Sequence, residues 1–112
     1  MNWPERAMQI YQVLLGLAYN RQTITYASLA KLIGMGAGTL AQPLGYIMRY
    51  CKANKLPPLT ALVVQTKSGK PGEGLTTVKQ SQLDKDREDV YNHNWFISEP
   101  VQISDLEKHP FK

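Results

Sequence analysis

Residues 25–53 decide the fold of this chain, and they read TYASLAKLIGMGAGTLAQPLGYIMRYCKA. Thr25 can cap a helix over residues 26–33, because a threonine side chain accepts a hydrogen bond from a free backbone N–H at a helix start. The glycine-rich segment that follows breaks this helix. A second helix is expected at about 40–53, with Thr39 as its cap and apolar residues repeating along one side. Two helices joined by a firm turn predict a helix-turn-helix.

The flanking segments predict a small domain around this motif. We expect a first helix over residues 4–19, where apolar residues recur at helical spacing, and either a small strand or an extended lead-in at 22–25. Residues 61–65 have the composition of a strand, 66–74 form a loop rich in Lys and Gly, and 75–79 return as a second strand. The order predicts an α/β fold of the α+β type: a single winged helix-turn-helix domain with an N-terminal helix, a small β-hairpin wing and a C-terminal extension.

Charge divides the chain into two parts. Residues 1–79 contain nine Lys/Arg and two acids, a charge of +7, whereas residues 80–112 contain four Lys/Arg and seven acids, a charge of −3. We therefore expect a winged-helix domain with its N-terminal helix over 1–79, and an acidic C-terminal extension over 80–112 packed on the same domain. A concentrated positive field attracts a polyanion, although an ordinary solvated basic surface has the same composition.

The composition is that of one globular domain of 112 residues. No apolar stretch is long enough to span a bilayer, and the start of the chain lacks the pattern of a signal peptide. The single cysteine, Cys51, excludes an internal disulfide and fits a reducing compartment. We expect a cytoplasmic protein that does not bind membranes.

The outer side of the second motif helix is the strongest candidate binding surface. Gln42, Tyr46, Arg49 and Ala53 are spaced by four, three and four residues, so we expect them to share the side of the helix that faces away from its apolar stripe; Lys52 belongs with them to the predicted DNA-binding surface. Gln and Arg can bond to base edges or phosphates, and Tyr can stack. Lys67 and Lys70 in the predicted wing can hold phosphates. The alternatives are an ordinary amphipathic helix with a polar outer side, and a hairpin tip whose lysines maintain solubility.

Catalytic and metal-binding patterns are poor. His93 and His109 have no second ligand at metal spacing, and Cys51 falls on the predicted buried side of its helix. The acids between residues 84 and 89 lack calcium-loop spacing, so a solvated acidic helix is the preferred interpretation. We expect no enzyme activity, no metal and no cofactor.

Residues 25–34, TYASLAKLIG, resemble the T-Y-x-x-[LV]-A-x-x-[IL]-G motif of the alkylguanine-DNA alkyltransferases and alkyltransferase-like proteins. Residues 43–49, PLGYIMR, resemble the recognition helix of that family, and residues 56–64, LPPLTALVV, fall where the family has P-[IV]-x-I-P-C-H-R-V-[VI]. The resemblance covers roughly residues 22–76. It implies a winged helix that binds the minor groove and rotates a base into a pocket.

The family's functional residues map only in part onto this chain. Its nucleotide-rotating tyrosine falls at Tyr26, and its intercalating arginine falls at Gln42. Its nucleophilic cysteine falls at Thr60, where a threonine lacks the low pKa and the neighbouring histidine base. The resemblance therefore implies DNA binding with the position of the nucleophile lost.

Together these features predict a non-catalytic protein that binds double-stranded DNA through Tyr26 and the predicted helix and wing residues, in regulation, repair or defence. The alternative is a protein-interaction adaptor or inhibitor on a winged-helix scaffold. In that case Tyr46, Tyr50 and the acidic C-terminal segment would contact a protein partner.

Overall fold

The computed structural model describes residues 2–65, 83–96 and 101–108. Within these ranges the chain is mostly helical, with two short strands. In chain order the elements are α1 (Trp3–Tyr19), β1 (Ile24–Thr25), α2 (Tyr26–Ile33), a first 3-10 turn (Ala37–Thr39), α3 (Ala41–Ala53), a second 3-10 turn (Leu59–Leu62), β2 (Val63–Val64), α4 (Leu83–Asn92) and α5 (Ile103–Glu107). Among the helices described, none combines the length and apolar character needed to cross a membrane.

Helix α1 is the centre of the packing. The side-chain oxygen of Asn2 caps it by accepting a hydrogen bond from the backbone N–H of Glu5 at 3.1 Å. Pro4 lies in the first turn, where its missing N–H breaks no helical hydrogen bond. The buried side of α1 packs against α3, α5 and the second 3-10 turn. Burial of this apolar side is the main source of stability for the helix, as for most helices in proteins.

Helix α2 has the bounds predicted for it. The side-chain oxygen of Thr25 accepts a hydrogen bond from the backbone N–H of Ser28 at 3.1 Å, which confirms the predicted cap. Gly34 ends the helix with φ 70°, a conformation that glycine adopts without the steric cost of a Cβ. The N–H of Met35 then bonds to the carbonyl of Ala30 at 2.9 Å, as in a Schellman ending.

The predicted cap of α3 is wrong. The helix begins at Ala41 after Leu40, and no side chain caps it. The hydroxyl of Thr39 instead donates to the carbonyl of Gly36 at 2.7 Å, within the first 3-10 turn. Because this turn already winds the backbone in helical sense, Leu40 enters α3 with helical dihedral angles and the chain lacks the extended residue that a capping threonine requires.

The strand expected at 61–65 is shorter than predicted. Only Val63–Val64 is extended, because residues 59–62 form the second 3-10 turn. The strand pairs with β1 in parallel, Ile24 opposite Val63 and Thr25 opposite Val64. The loop at 66–74 and the returning strand at 75–79 lie outside the described residues, so the β-hairpin wing, and with it the winged helix, stays a prediction.

Helices α4 and α5 pack on the body formed by the earlier elements. Val90 of α4 is buried, and the helix lies against the second 3-10 turn and α1. Arg21, at the end of α1, forms an ion pair with Glu88 and lies 4.8 Å from the centre of the Tyr91 ring. Leu106 of α5 is buried against the core formed with α1 and α3.

Candidate nucleic-acid interface

The outer side of α3 presents most of the predicted DNA-binding residues that the structure describes. Leu44, Ile47 and Cys51 are buried on the inner side of the helix. Because an α-helix has 3.6 residues per turn, Gln42 and Arg49 lie almost two turns apart on the opposite side, and both are exposed. The predicted orientation of these two residues is therefore confirmed.

Tyr46 and Lys52 border this outer side. Tyr46 is half-buried and packs partly against the hydrophobic core, so only part of its ring is accessible. Lys52 is exposed in the last turn, where a cation interacts favourably with the helix dipole. The thirteen residues of α3 contain two cations, Arg49 and Lys52, and no acid. We call Gln42, Tyr46, Arg49 and Lys52 the α3 face.

Tyr26 does not belong to α3. It is the first residue of α2, half-buried, and packs against the hydrophobic core. Residues at spacings of three, four and seven share one side of a helix, which places Tyr26 with Leu29, Ala30 and Ile33 on the inner side of α2. Lys67 and Lys70 lie outside the described residues. The DNA contacts expected of Tyr26 and of the two wing lysines stay predictions.

An arginine that the sequence analysis did not single out braces the helix-turn-helix segment. Nη1 of Arg6, in the first turns of α1, donates to the carbonyl oxygen of Ile33 at 2.9 Å. The same nitrogen also donates to Oε1 of Gln9 at 3.1 Å. Ile33 is in the last turn of α2, so its carbonyl oxygen has no backbone N–H of the same helix to accept a hydrogen bond from. Arg6 thus connects α1 to the end of α2, and the contact spans too much sequence for a local pattern to reveal it.

Thr60, the position at which the sequence resemblance would place a nucleophile, is part of the protein interior. It lies in the second 3-10 turn and is 5% exposed, and its neighbours Leu59, Ala61 and Leu62 are buried as well. Helix α4 covers this turn, and Nε of Arg87 donates to the carbonyl oxygen of Ala61 at 3.1 Å. A side chain at this position is therefore poorly placed to react with a large substrate.

Cys51 is a poor nucleophile in this environment. Burial raises the pKa of its thiol to about 11, with a backbone hydrogen bond at Leu59 opposing the rise. The thiol is neutral at physiological pH, whereas the thiolate is the reactive form. Over the ranges described, no three His, Cys, Asp or Glu side chains group closely enough to hold a metal ion.

No protein-family model, curated protein or solved structure matches this chain. The resemblance to the alkyltransferases therefore rests on the sequence motifs alone.

Proposed function

We propose that the protein is a non-catalytic DNA-binding protein and that the α3 face contacts double-stranded DNA. The observation that carries the proposal is the composition of that face. Gln42, Arg49 and Lys52 are exposed on a helix that contains no acid, and the opposite side of the same helix is anchored in the core.

The chemistry of the α3 face suits a nucleic-acid backbone and base edges. Arg49 and Lys52 lie about 4.5 Å apart along the helix axis, since each residue rises 1.5 Å, and both can neutralise phosphates. Gln42 lies about 10.5 Å before Arg49 on the same side, where its amide can form two hydrogen bonds with the edge of an adenine. The order α2, turn, α3 is that of a helix-turn-helix, whose second helix enters a groove.

The absence of catalysis is a separate part of the proposal. Thr60, at the position where the resemblance implies a nucleophile, is buried, and the thiol of Cys51 elsewhere in the core is neutral at physiological pH. DNA binding without chemistry fits a regulator, or a DNA-sensing component of repair or defence.

The test compares two double variants with the same loss of charge. Arg49→Ala with Lys52→Ala removes two cations from the α3 face, and Lys85→Ala with Lys108→Ala removes two exposed cations from other elements. With a duplex whose ends are closed by hairpin loops, we expect the first variant to bind more weakly and with a shallower salt dependence, and the second to stay close to the wild type. If both variants bind DNA equally well, Arg49 and Lys52 do not contact DNA and the proposed role of the α3 face is wrong. No DNA binding by the wild type at low salt, with a protein partner recovered instead, would favour the adaptor.

A further inference from the structure

A cleft separates the end of α3 from the end of α4. Its volume is about 450 Å³, and it is broad and widely open to solvent. It is lined by Lys55, Leu56, Pro57, Asp89, Asn92 and His93. None of these residues belongs to the α3 face, although Pro57 is only three residues before Thr60 in the sequence.

Both walls of the cleft are fixed by backbone hydrogen bonds. On one wall, Lys55, two residues after the end of α3, has φ 56°, and the N–H of Leu56 bonds to the carbonyl of Cys51 at 2.8 Å. On the other, the N–H of His93 bonds to the carbonyl of Asp89 at 3.1 Å. Glycine would adopt this backbone conformation with less strain, so a lysine lines the cleft here at a conformational cost.

The His93 wall has a second support. The rings of His93 and Trp95 meet edge to face, with their centres 4.4 Å apart. The indole nitrogen of Trp95 donates to the carbonyl oxygen of Val90 at 2.8 Å, which ties both rings to α4. The imidazole therefore has a set position, and Trp95 lies beside the cleft as a spectroscopic reporter.

The lining combines groups that different parts of one ligand would use. Lys55 supplies a positive charge, and Asn92 and His93 supply hydrogen-bonding groups. Leu56 and Pro57 supply an apolar wall. The carboxylate of Asp89 can accept a hydrogen bond from a base amino group, and its charge is partly balanced by Lys85, whose Nζ lies 3.3 Å from it.

We infer that this cleft binds a nucleoside monophosphate, with the phosphate at Lys55 and the base against the apolar wall. A bare phosphate fills too little of the volume and is repelled by the carboxylate of Asp89. A divalent cation is repelled by the ammonium of Lys55. A purely apolar ligand would desolvate four polar side chains without replacing their hydrogen bonds. The ligand's source is either a free nucleotide or the terminal nucleotide of a DNA strand, and the inference goes beyond the proposed function because it needs no duplex.

The experiment uses the full chain with Trp3→Phe, which leaves Trp95 as the only tryptophan. Its fluorescence is titrated with deoxyadenosine monophosphate, and in parallel with deoxyadenosine and with inorganic phosphate. We expect the monophosphate to bind at least about tenfold more tightly than either fragment, because only it engages both the charged and the apolar groups. No response up to about 10 mM, or equal binding of one fragment, overturns the inference.

Lys55→Gln and Asn92→Ala should each weaken binding of the monophosphate, with a loss of roughly tenfold for Lys55→Gln. Lys55→Arg should restore most of the affinity. Lys108→Gln is the matched control for charge and should leave binding unchanged. If the Lys55 and Lys108 variants behave alike, the cleft is not the site.

The two sources of nucleotide are separated with a duplex that ends in a 5′-phosphate and a duplex whose ends are both closed by hairpin loops. Dependence on Lys55 for both the monophosphate and the open duplex identifies a strand end as a ligand, and dependence for the monophosphate alone identifies a free nucleotide. Lys55-independent binding of the closed duplex that requires Arg49 and Lys52 supports the proposed function even if the cleft fails. Binding of the monophosphate without any duplex binding supports the cleft as a nucleotide site and contradicts the proposed DNA binding by the α3 face.

Discussion

Replacing Arg6 by methionine tests whether α1 braces the end of α2. Methionine keeps a flexible aliphatic side chain but removes the donor that bonds to the Ile33 carbonyl at 2.9 Å. Hydrogen bonds of charged groups contribute roughly 1.5–3 kcal/mol. Ile33 is only half-buried, so water can replace part of the lost bond, and we expect the free energy of unfolding to fall by about 1–2 kcal/mol. An unfolding entropy of about 2.1 cal/mol/K per residue converts this into a Tm lower by roughly 4–8 °C.

The measurement is a pair of unfolding curves, thermal and in urea, followed by circular dichroism. Gln9→Ala is the matched control, because it removes the other hydrogen bond of the same Arg6 nitrogen at an exposed position. We expect the control to change the free energy of unfolding by less than about 0.5 kcal/mol. If Arg6→Met unfolds within about 1 °C of the wild type, or if Gln9→Ala costs as much, the brace between α1 and α2 contributes nothing of note.

Three further predictions concern other parts of the chain. Lys55→Gly should raise the free energy of unfolding by roughly 0.5–1 kcal/mol in urea melts, because glycine adopts the left-handed backbone conformation of this residue without strain. Arg21→Gly should raise the free energy of unfolding by less, because it also removes the ion pair with Glu88. Because burial raises the pKa of Cys51 to about 11, the unfolded chain releases its thiol proton at a lower pH than the folded chain does. The free energy of unfolding should therefore fall between about pH 9 and 11, by up to roughly 2–3 kcal/mol. The fall should be smaller in Cys51→Ala, which has no thiol at this position. A methylated-guanine oligonucleotide should transfer no methyl group to the protein, as judged by its intact mass, since Thr60 is buried and lacks an activating base; stoichiometric transfer would contradict this.

The predictable parts of the fold are those set by neighbours in sequence. The bounds of α2 follow from a threonine three residues before its N–H partner and from a glycine that adopts φ 70° at the other end. The exposure of Gln42 and Arg49 follows from the helical period once the apolar side of α3 is recognised. Interactions of this kind act over one or two helical turns, and the residue types reveal them.

The parts that the sequence does not reveal depend on tertiary packing. The Arg6–Ile33 and Arg87–Ala61 hydrogen bonds join residues 27 and 26 positions apart, and no local pattern predicts either. The run at 61–65 has strand composition, yet its first two residues belong to the second 3-10 turn and the strand is limited to Val63–Val64. Burial of Thr60 is equally a product of packing, because α4 reaches that turn from a distant part of the sequence.

The candidate sites divide in the same way. The α3 face is visible in the sequence because one helix carries all of it. The cleft is not, because its walls come from residues 55–57 and 89–93, which only the folded chain brings together. A search for motifs along the sequence therefore finds the first surface and overlooks the second.

The most direct test of DNA binding by the α3 face is the salt dependence of affinity for a closed-end duplex, measured by fluorescence anisotropy between about 50 and 200 mM salt. We expect the plot of log affinity against log salt to be shallower by about 1.8 in the Arg49→Ala, Lys52→Ala variant than in the wild type, since each lost phosphate contact removes about 0.9. The Lys85→Ala, Lys108→Ala variant should keep the wild-type slope. Identical slopes and affinities in all three proteins, or no binding by the wild type at the lowest salt, would contradict the proposal that α3 contacts DNA.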